Sequence, residues 1–147
     1  MGLIRALAAS ASGLAAQRVR MDVVSSNVAN IETTATADGG PYKRQVVRFA
    51  SGDSSLPFAS VVQRFTGGAD TGVVLTQVGV DEETPGRSVY DPAHPDAGED
   101  GFVEMPNVDM VQEMTDLTSA NRSYQANVTV LNAVKQMALR ALDISSR

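Results

Sequence analysis

From Asn107 to Arg147 the chain contains neither proline nor glycine, and this constrains the fold more than any other feature. Those two residues interrupt helices most readily, so a long run free of both that also carries an apolar stripe predicts one continuous helix. The stripe is present. Met110, Leu117, Tyr124, Leu131 and Ala138 share one heptad position, and Met114, Val128 and Leu142 share the other, interrupted by Asn121 and Lys135. Pro106 halts the preceding strand or loop, after which Asn107 or Asp109 can cap the first turn. Asp109, Glu113 and Asp116 lie in the first half and Arg122, Lys135 and Arg140 in the second, as the helix dipole favours; Asp143 is the exception. A helix from Val108 to Leu142 would be ~52 Å long, against a radius of gyration of ~15 Å for a compact globule of this length, which predicts an elongated molecule. Ser119, Asn121, Ser123, Asn127, Thr129 and Asn132 lower the helix propensity. The helix therefore needs packing partners to persist.

The other end repeats the design. Leu7, Leu14, Met21 and Val28 occupy one heptad position and Leu3, Val24 and Ile31 the other, which Ser10 and Gln17 break. Ala6, Ala8, Ala11 and Ala15 add small surfaces that permit close helix approach. Asn27 and Asn30 suit the helix end because asparagine tolerates the left-handed conformation found there. Arg5 followed by an alanine-rich stretch and Ala9-Ser10-Ala11 imitates a secretory leader. Ser10, Ser12 and Gly13 dilute that stretch and the helical pattern runs through it, so cleavage is not expected.

Between the ends the pattern changes. Thr33 to Pro41 is rich in turn-forming residues. Short runs with strand character follow, Tyr42 to Phe49, Phe58 to Phe65, Val73 to Val80 and Phe102 to Met105, separated by Gly, Pro, Asp and Ser. Residues 81–109 hold nine of the seventeen acidic groups and one base, Arg87, with four prolines, and read as an extended acidic loop. The fold class expected is α+β: long terminal helices packing as a coiled-coil-like hairpin or bundle, with a small β-rich insert. The domains expected are an N-terminal helix over 1–31, an insert over 32–106 with the acidic loop at 81–106, and a C-terminal helix over 107–147.

Composition excludes several function classes. The formal charge of −5 disfavours nucleic acid, which requires clustered Lys and Arg to release counterions. With no cysteine there are no disulfides or thiolate metal sites. No run approaches the ~20 apolar residues of a membrane-spanning helix. The cluster of Asp91, His94, Asp96, Glu99 and Asp100 could offer oxygen ligands to a divalent cation, but it lacks an EF-hand order and a second histidine. A solvated turn-forming loop is the better reading, and a metal-binding module the alternative. Any serine nucleophile would need His94 as its base, and no Gly-x-Ser-x-Gly elbow is present. Gly39-Gly40-Pro41 and Gly67-Gly68 lack phosphate-loop spacing. No catalytic residues, metal or cofactor are assigned, and the chain reads as non-enzymatic.

One resemblance is specific. Ser12-Gly13-Leu14-Ala15-Ala16-Gln17, Asp22, Ser26-Asn27-Val28-Ala29-Asn30 and Thr33-Thr34 resemble the N-terminal signature of the flagellar rod and hook axial proteins. Gly39-Gly40-Pro41-Tyr42-Lys43-Arg44-Gln45, Tyr90-Asp91-Pro92-Ala93-His94-Pro95-Asp96-Ala97 and Gly101 to Val108, with Ala120 to Asn127, are similar to the proximal-rod members of that family. Ile31-Glu32 and Gly98 depart from it. The resemblance implies a structural subunit of the bacterial flagellar rod, exported unfolded by the flagellar type III apparatus and assembled in the periplasmic part of the basal body. Its partners would be other rod subunits and copies of itself; another axial subunit is the alternative identity. The motif residues singled out are Asn27, Asn30, Gly39, Gly40, Pro41, Tyr42, Tyr90, Asp91, Pro92, Pro106 and Asn107. The residues expected at assembly interfaces are Leu3, Leu7, Leu14, Met21, Val24, Val28, Met110, Leu117, Tyr124, Val128, Leu131 and Leu142.

Overall fold

The computed structural model describes residues 2–37, 39–51 and 72–145, with side chains from Arg5 to Ile144. The strand expected at Phe58 to Phe65, the Gly67-Gly68 turn and the Leu3 side chain lie outside the described residues. The elements run α1 (Gly2–Ala29), β1 (Gln45–Ser51), β2 (Val73–Val80), β3 (Arg87–Tyr90), β4 (Phe102–Met105) and α2 (Met110–Ser145). The fold is α+β. Strands β1 and β2 pair in one two-stranded sheet and β3 and β4 in another.

The uninterrupted C-terminal run is a single helix of 36 residues. Of the two candidate caps, Asp109 is the one used: its Oδ1 accepts from the amides of Val111 at 2.8 Å and Gln112 at 3.4 Å. This satisfies donors that the first helical turn leaves without partners. At the end of α1, Asn30 works differently from expectation. No described non-glycine residue has positive φ. Instead Asn30 Nδ2 donates to the Ser26 carbonyl at 2.9 Å and its Oδ1 accepts from Thr33 Oγ1 at 3.2 Å, so the side chain, not a left-handed backbone, closes the helix.

The chain divides into two compact units. The first comprises Met1–Val19, Arg48–Gln77 and Ala120–Arg147. Among its described residues the buried apolar side chains are Ala16, Ala120 and Val134. Small residues matter here because helices approach closely: a Cβ on Gly13 would lie 3.0 Å from Asn127 Nδ2. Ser12 Oγ donates to the Ala9 carbonyl at 2.8 Å and accepts from the Val73 amide at 3.0 Å, which anchors the start of β2.

The second unit comprises Arg20–Val47 and Val78–Ser119. Val24 and Val103 supply its buried apolar core, and Pro106, shortly after Val103, is buried as well. Within the stretch expected to be an extended acidic loop, Arg87–Tyr90 is instead a strand, antiparallel to β4 with Val89 opposite Val103 and Tyr90 opposite Phe102. Strand β1 begins at Gln45 and not at Tyr42, since the backbone before it is engaged elsewhere: the Tyr42 amide bonds the Thr33 carbonyl at 3.0 Å, and the Arg44 amide bonds Asn107 Oδ1 at 2.7 Å.

Candidate functional site

The second unit is organised around a buried polar node built from α1, the segment entering β1, and the start of α2. Asn27, in the last turns of α1, is 1 % exposed and uses all of its hydrogen-bonding capacity. Its Oδ1 accepts from Tyr42 Oη and from the Gln45 amide, both at 2.9 Å. Its Nδ2 donates to the Gln45 carbonyl at 2.9 Å and to Glu113 Oε2 at 3.1 Å. A buried amide that makes four bonds incurs no desolvation deficit and fixes its neighbours in one arrangement.

Glu113 sits one turn into α2 and is 0 % exposed. A carboxylate withdrawn from water needs a cation and further donors. Arg44 Nε supplies the cation at 2.6 Å, and Asn27 supplies the second donor. The same guanidinium reaches Asp116 Oδ2 at 3.4 Å. Glu113 and Asp116 are three residues apart, so both project from one helix face, and the planar fork of arginine spans the two.

Asn107 extends the node. Its Oδ1 accepts from the Arg44 amide at 2.7 Å, and its Nδ2 donates to the carbonyls of Asp81 and Thr84 at 3.0 and 3.1 Å. The Asp81 amide in turn donates to the Arg44 carbonyl at 2.8 Å. The Asp81 carboxylate accepts from the Glu83 amide, the Thr84 amide and Thr84 Oγ1, at 3.1, 3.1 and 2.8 Å. The Thr84 hydroxyl, followed by the Thr84 amide, holds the Asp81 carboxyl below its ordinary value of 3.8 by stabilising the charged form.

Of the motif residues predicted from sequence, the structure brings Asn27, Tyr42 and Asn107 into this node. Gly39 and Gly40 have φ of 85° and 79° and form, with Pro41, a turn in which the Thr36 amide and hydroxyl both bond the Gly40 carbonyl. Tyr90, Asp91 and Pro92 lie at the tip of the β3–β4 hairpin. Arg44, Gln45 and Glu113 are node residues that sequence reading did not single out as site residues. The spacing of Glu113 and Asp116 on one face was the available signal.

The predicted interface residues are placed as follows. Val24 is buried; Leu7, Leu14, Met21 and Val28 on α1 and Leu117, Tyr124, Val128 and Leu131 on α2 are half-buried; Met110 and Leu142 are exposed. Beyond them α2 also exposes Val111, Met114, Val130, Met137, Leu139 and Ile144.

The node is structural in character, since its donors and acceptors are consumed by one another. Among the described residues no group of three or more His, Asp or Glu side chains is disposed to hold a metal ion. At the His94 loop the ring Nδ1 accepts from the Asp96 amide at 3.1 Å. The same nitrogen lies 3.9 Å from the Asp96 carboxylate. No helix among the described residues is long and apolar enough to cross a membrane.

Two family models match the chain: one described as flagella basal body rod protein over residues 7–35, and one described as flagellar basal body rod FlgEFG protein C-terminal over residues 99–144. The first match contains Asn27; the second contains Asn107 and Glu113. Across its length the chain is 44% identical to the flagellar basal-body rod protein FlgC of Bacillus subtilis (strain 168), covering 98% of this chain and 99% of that protein. It is 42% identical to the FlgC of Borreliella burgdorferi, with 98% of each covered. The FlgC of Salmonella typhimurium is 40% identical, again over 98% of each.

Proposed function

The chain belongs to the family of FlgC flagellar basal-body rod proteins, and from that premise we infer that its terminal helices assemble by burying their apolar seams against neighbouring rod subunits. It is a structural subunit of the flagellar basal-body rod, a component of the apparatus of cell motility. Its assembly partners are other rod components.

The observation that carries the helix-packing reading is the unfinished burial of α2. Val130, Met137, Leu139, Leu142 and Ile144 remain exposed on one helix, and a helix with low intrinsic propensity gains its stability from packing. Gly13 approaching Asn127 in the first unit and Asn27 bonding Glu113 in the second both support coiled-coil-like packing of α1 against α2. In this reading residues 1–31 and 107–147 form the axial core and residues 32–106 the insert carried between them. Copies of the same chain and other rod subunits supply the remaining contacts. Export by the flagellar type III apparatus precedes assembly in the periplasmic part of the basal body, without membrane insertion, and the shaft transmits torque without catalysis.

Leu131→Asp tests the packing directly. It puts a charge into a half-buried seam position, where desolvating an unpaired carboxylate is costly. The expected result is loss of rod assembly and swimming with export of the chain intact; swimming cells would overturn the reading.

A further inference from the structure

The two compact units carry opposite charge. The first holds eight basic and three acidic residues, a formal +5, and the second four basic and fourteen acidic, a formal −10, which together give the −5 of the chain. In the second unit much of the negative charge surrounds the tip of the β3–β4 hairpin, where Tyr90 is 65 % and Phe102 49 % exposed. Together the two rings form an exposed apolar patch of the kind enriched at interfaces.

The tip is a rigid construction. The rings of Tyr90 and Phe102 meet edge to face with centroids 5.2 Å apart. The connecting loop is laced by backbone bonds, Asp91 amide to Gly101 carbonyl at 3.0 Å and Gly98 amide to Phe102 carbonyl at 2.9 Å. Gly101 has φ of 75°, and a Cβ there would lie 2.9 Å from Tyr90 Cε2. Only glycine lets the backbone pass beneath the tyrosine ring.

Around the rings, the exposed carboxylates of Asp91, Glu99, Asp100 and Glu104 make no ion pair among the described residues. On the helices of the first unit, the exposed Arg18, Arg122, Lys135 and Arg140 are likewise without one. Each copy therefore carries both halves of a complementary contact. We propose that the Tyr90–Phe102 tip, with its rim of carboxylates, is a docking knob seated on the basic helical stretch of a second copy of this chain. Unlike units attract and like units repel, so the contact joins different surfaces of the two copies. Such head-to-tail contacts close into rings or extend into helical arrays, which suits the rod-subunit reading on which this proposal rests. The aromatic pair supplies the apolar centre, and the rim charges exclude the wrong register.

The test is a photoreactive benzoylphenylalanine in place of Phe102, expressed in flagellated cells and mapped by mass spectrometry in purified basal bodies. Crosslinks to α1 near Arg18 or to α2 between Arg122 and Arg140 of a second copy are expected. Combining the probe with R18E and R122E should lower their yield about tenfold, as loss of close opposite charges predicts. Crosslinks landing on a different protein, on the acidic unit of another copy, or nowhere, with the chain present in rods, would overturn the proposal. Presence in rods and swimming are scored on the same cells, so failure of this contact is distinct from failure of the rod-subunit reading, which would appear as absence of the unsubstituted chain from basal bodies. If the probe at Phe102 keeps the chain out of rods, the same probe at the exposed Glu99 replaces it and the same outcomes decide.

Discussion

The Asn27 side chain and the Gln45 backbone are bonded in both directions: Oδ1 accepts from the Gln45 amide and Nδ2 donates to the Gln45 carbonyl, each at 2.9 Å. A residue near the end of a helix thus offers the first residue of β1 the pairing that a neighbouring strand would. Because the same carboxamide also holds Tyr42 and Glu113, the end of α1, the entry to β1 and the first turn of α2 share a single point of registration.

Removing that point should be costly. Asn27→Leu keeps the branching and heavy-atom count but strips partners from the Gln45 backbone, the Tyr42 hydroxyl and Glu113 together. Each buried group left unsatisfied costs roughly 1–3 kcal/mol, so a loss of about 3 kcal/mol or more is expected in urea denaturation of the full chain. A midpoint within error of the native protein would show that the node does not hold the unit.

The Arg44–Glu113 pair makes a sharper prediction. Arg44→Met leaves a buried carboxylate without its cation, a change that typically costs about 3–5 kcal/mol. Adding Glu113→Gln removes the stranded charge and should restore more than half of that loss. A double-mutant cycle reads the coupling directly; additive effects would mean the 2.6 Å contact contributes nothing specific. Arg44→Lys should fall between Met and Arg, because an ammonium keeps a cation beside Glu113 but loses the planar fork that spans Glu113 and Asp116.

Glycine substitutions separate backbone strain from collision. Gly39→Ala and Gly40→Ala place no atom within 4 Å of a neighbour, so each should cost only the left-handed backbone penalty, about 1 kcal/mol. Gly101→Ala carries the same penalty plus contact with the Tyr90 ring. It should lower the melting temperature further and, alone of the three, shift the Tyr90 ring resonances in an NMR spectrum.

Asp81 sets a pH dependence. Its carboxyl is held below 3.8 in the folded state, first by the Thr84 hydroxyl. A depressed folded value favours folding above the unfolded value and loses that contribution as pH falls through the folded one. The acid limb of stability should therefore include a component below about pH 4, close to the usual aspartate range. Thr84→Val should move the Asp81 carboxyl carbon titration upward and weaken that component; an unchanged titration would refute the assignment.

The helices were legible because a period repeated over many residues survives local exceptions, and the stretch without proline or glycine left no competing reading. Strand β2 was legible for the same reason at short range, a β-branched run between turn residues. Strand β3 was not, since Arg87-Ser88-Val89-Tyr90 is only four residues set among acids and prolines, and its evidence is the partner strand opposite. The choice between Asn107 and Asp109 as helix cap could not be made locally: both are suitable in sequence, and the Arg44 amide together with the Asp81 and Thr84 carbonyls recruits Asn107 elsewhere. Asn27 and Tyr42 were recognisable as motif members, but the chemistry of Asn27 depends on Glu113, 86 positions away. A carboxylate in the first turns of a helix reads ordinarily as a complement to the dipole, which hid its pairing with Arg44.

Where the chain leaves for β1 and returns from β2, the Arg44 carbonyl receives the Asp81 amide and Asn107 clasps both sides of the opening. Sealing the neck of an excursion in this way sets the registration beneath it with groups that all lie at the neck itself. Since doubling the length of a closed loop costs only about 0.6 kcal/mol in chain entropy, sequence can be spliced in past the seal while the registration below it stays intact, making this neck a natural grafting point for epitopes or reporters.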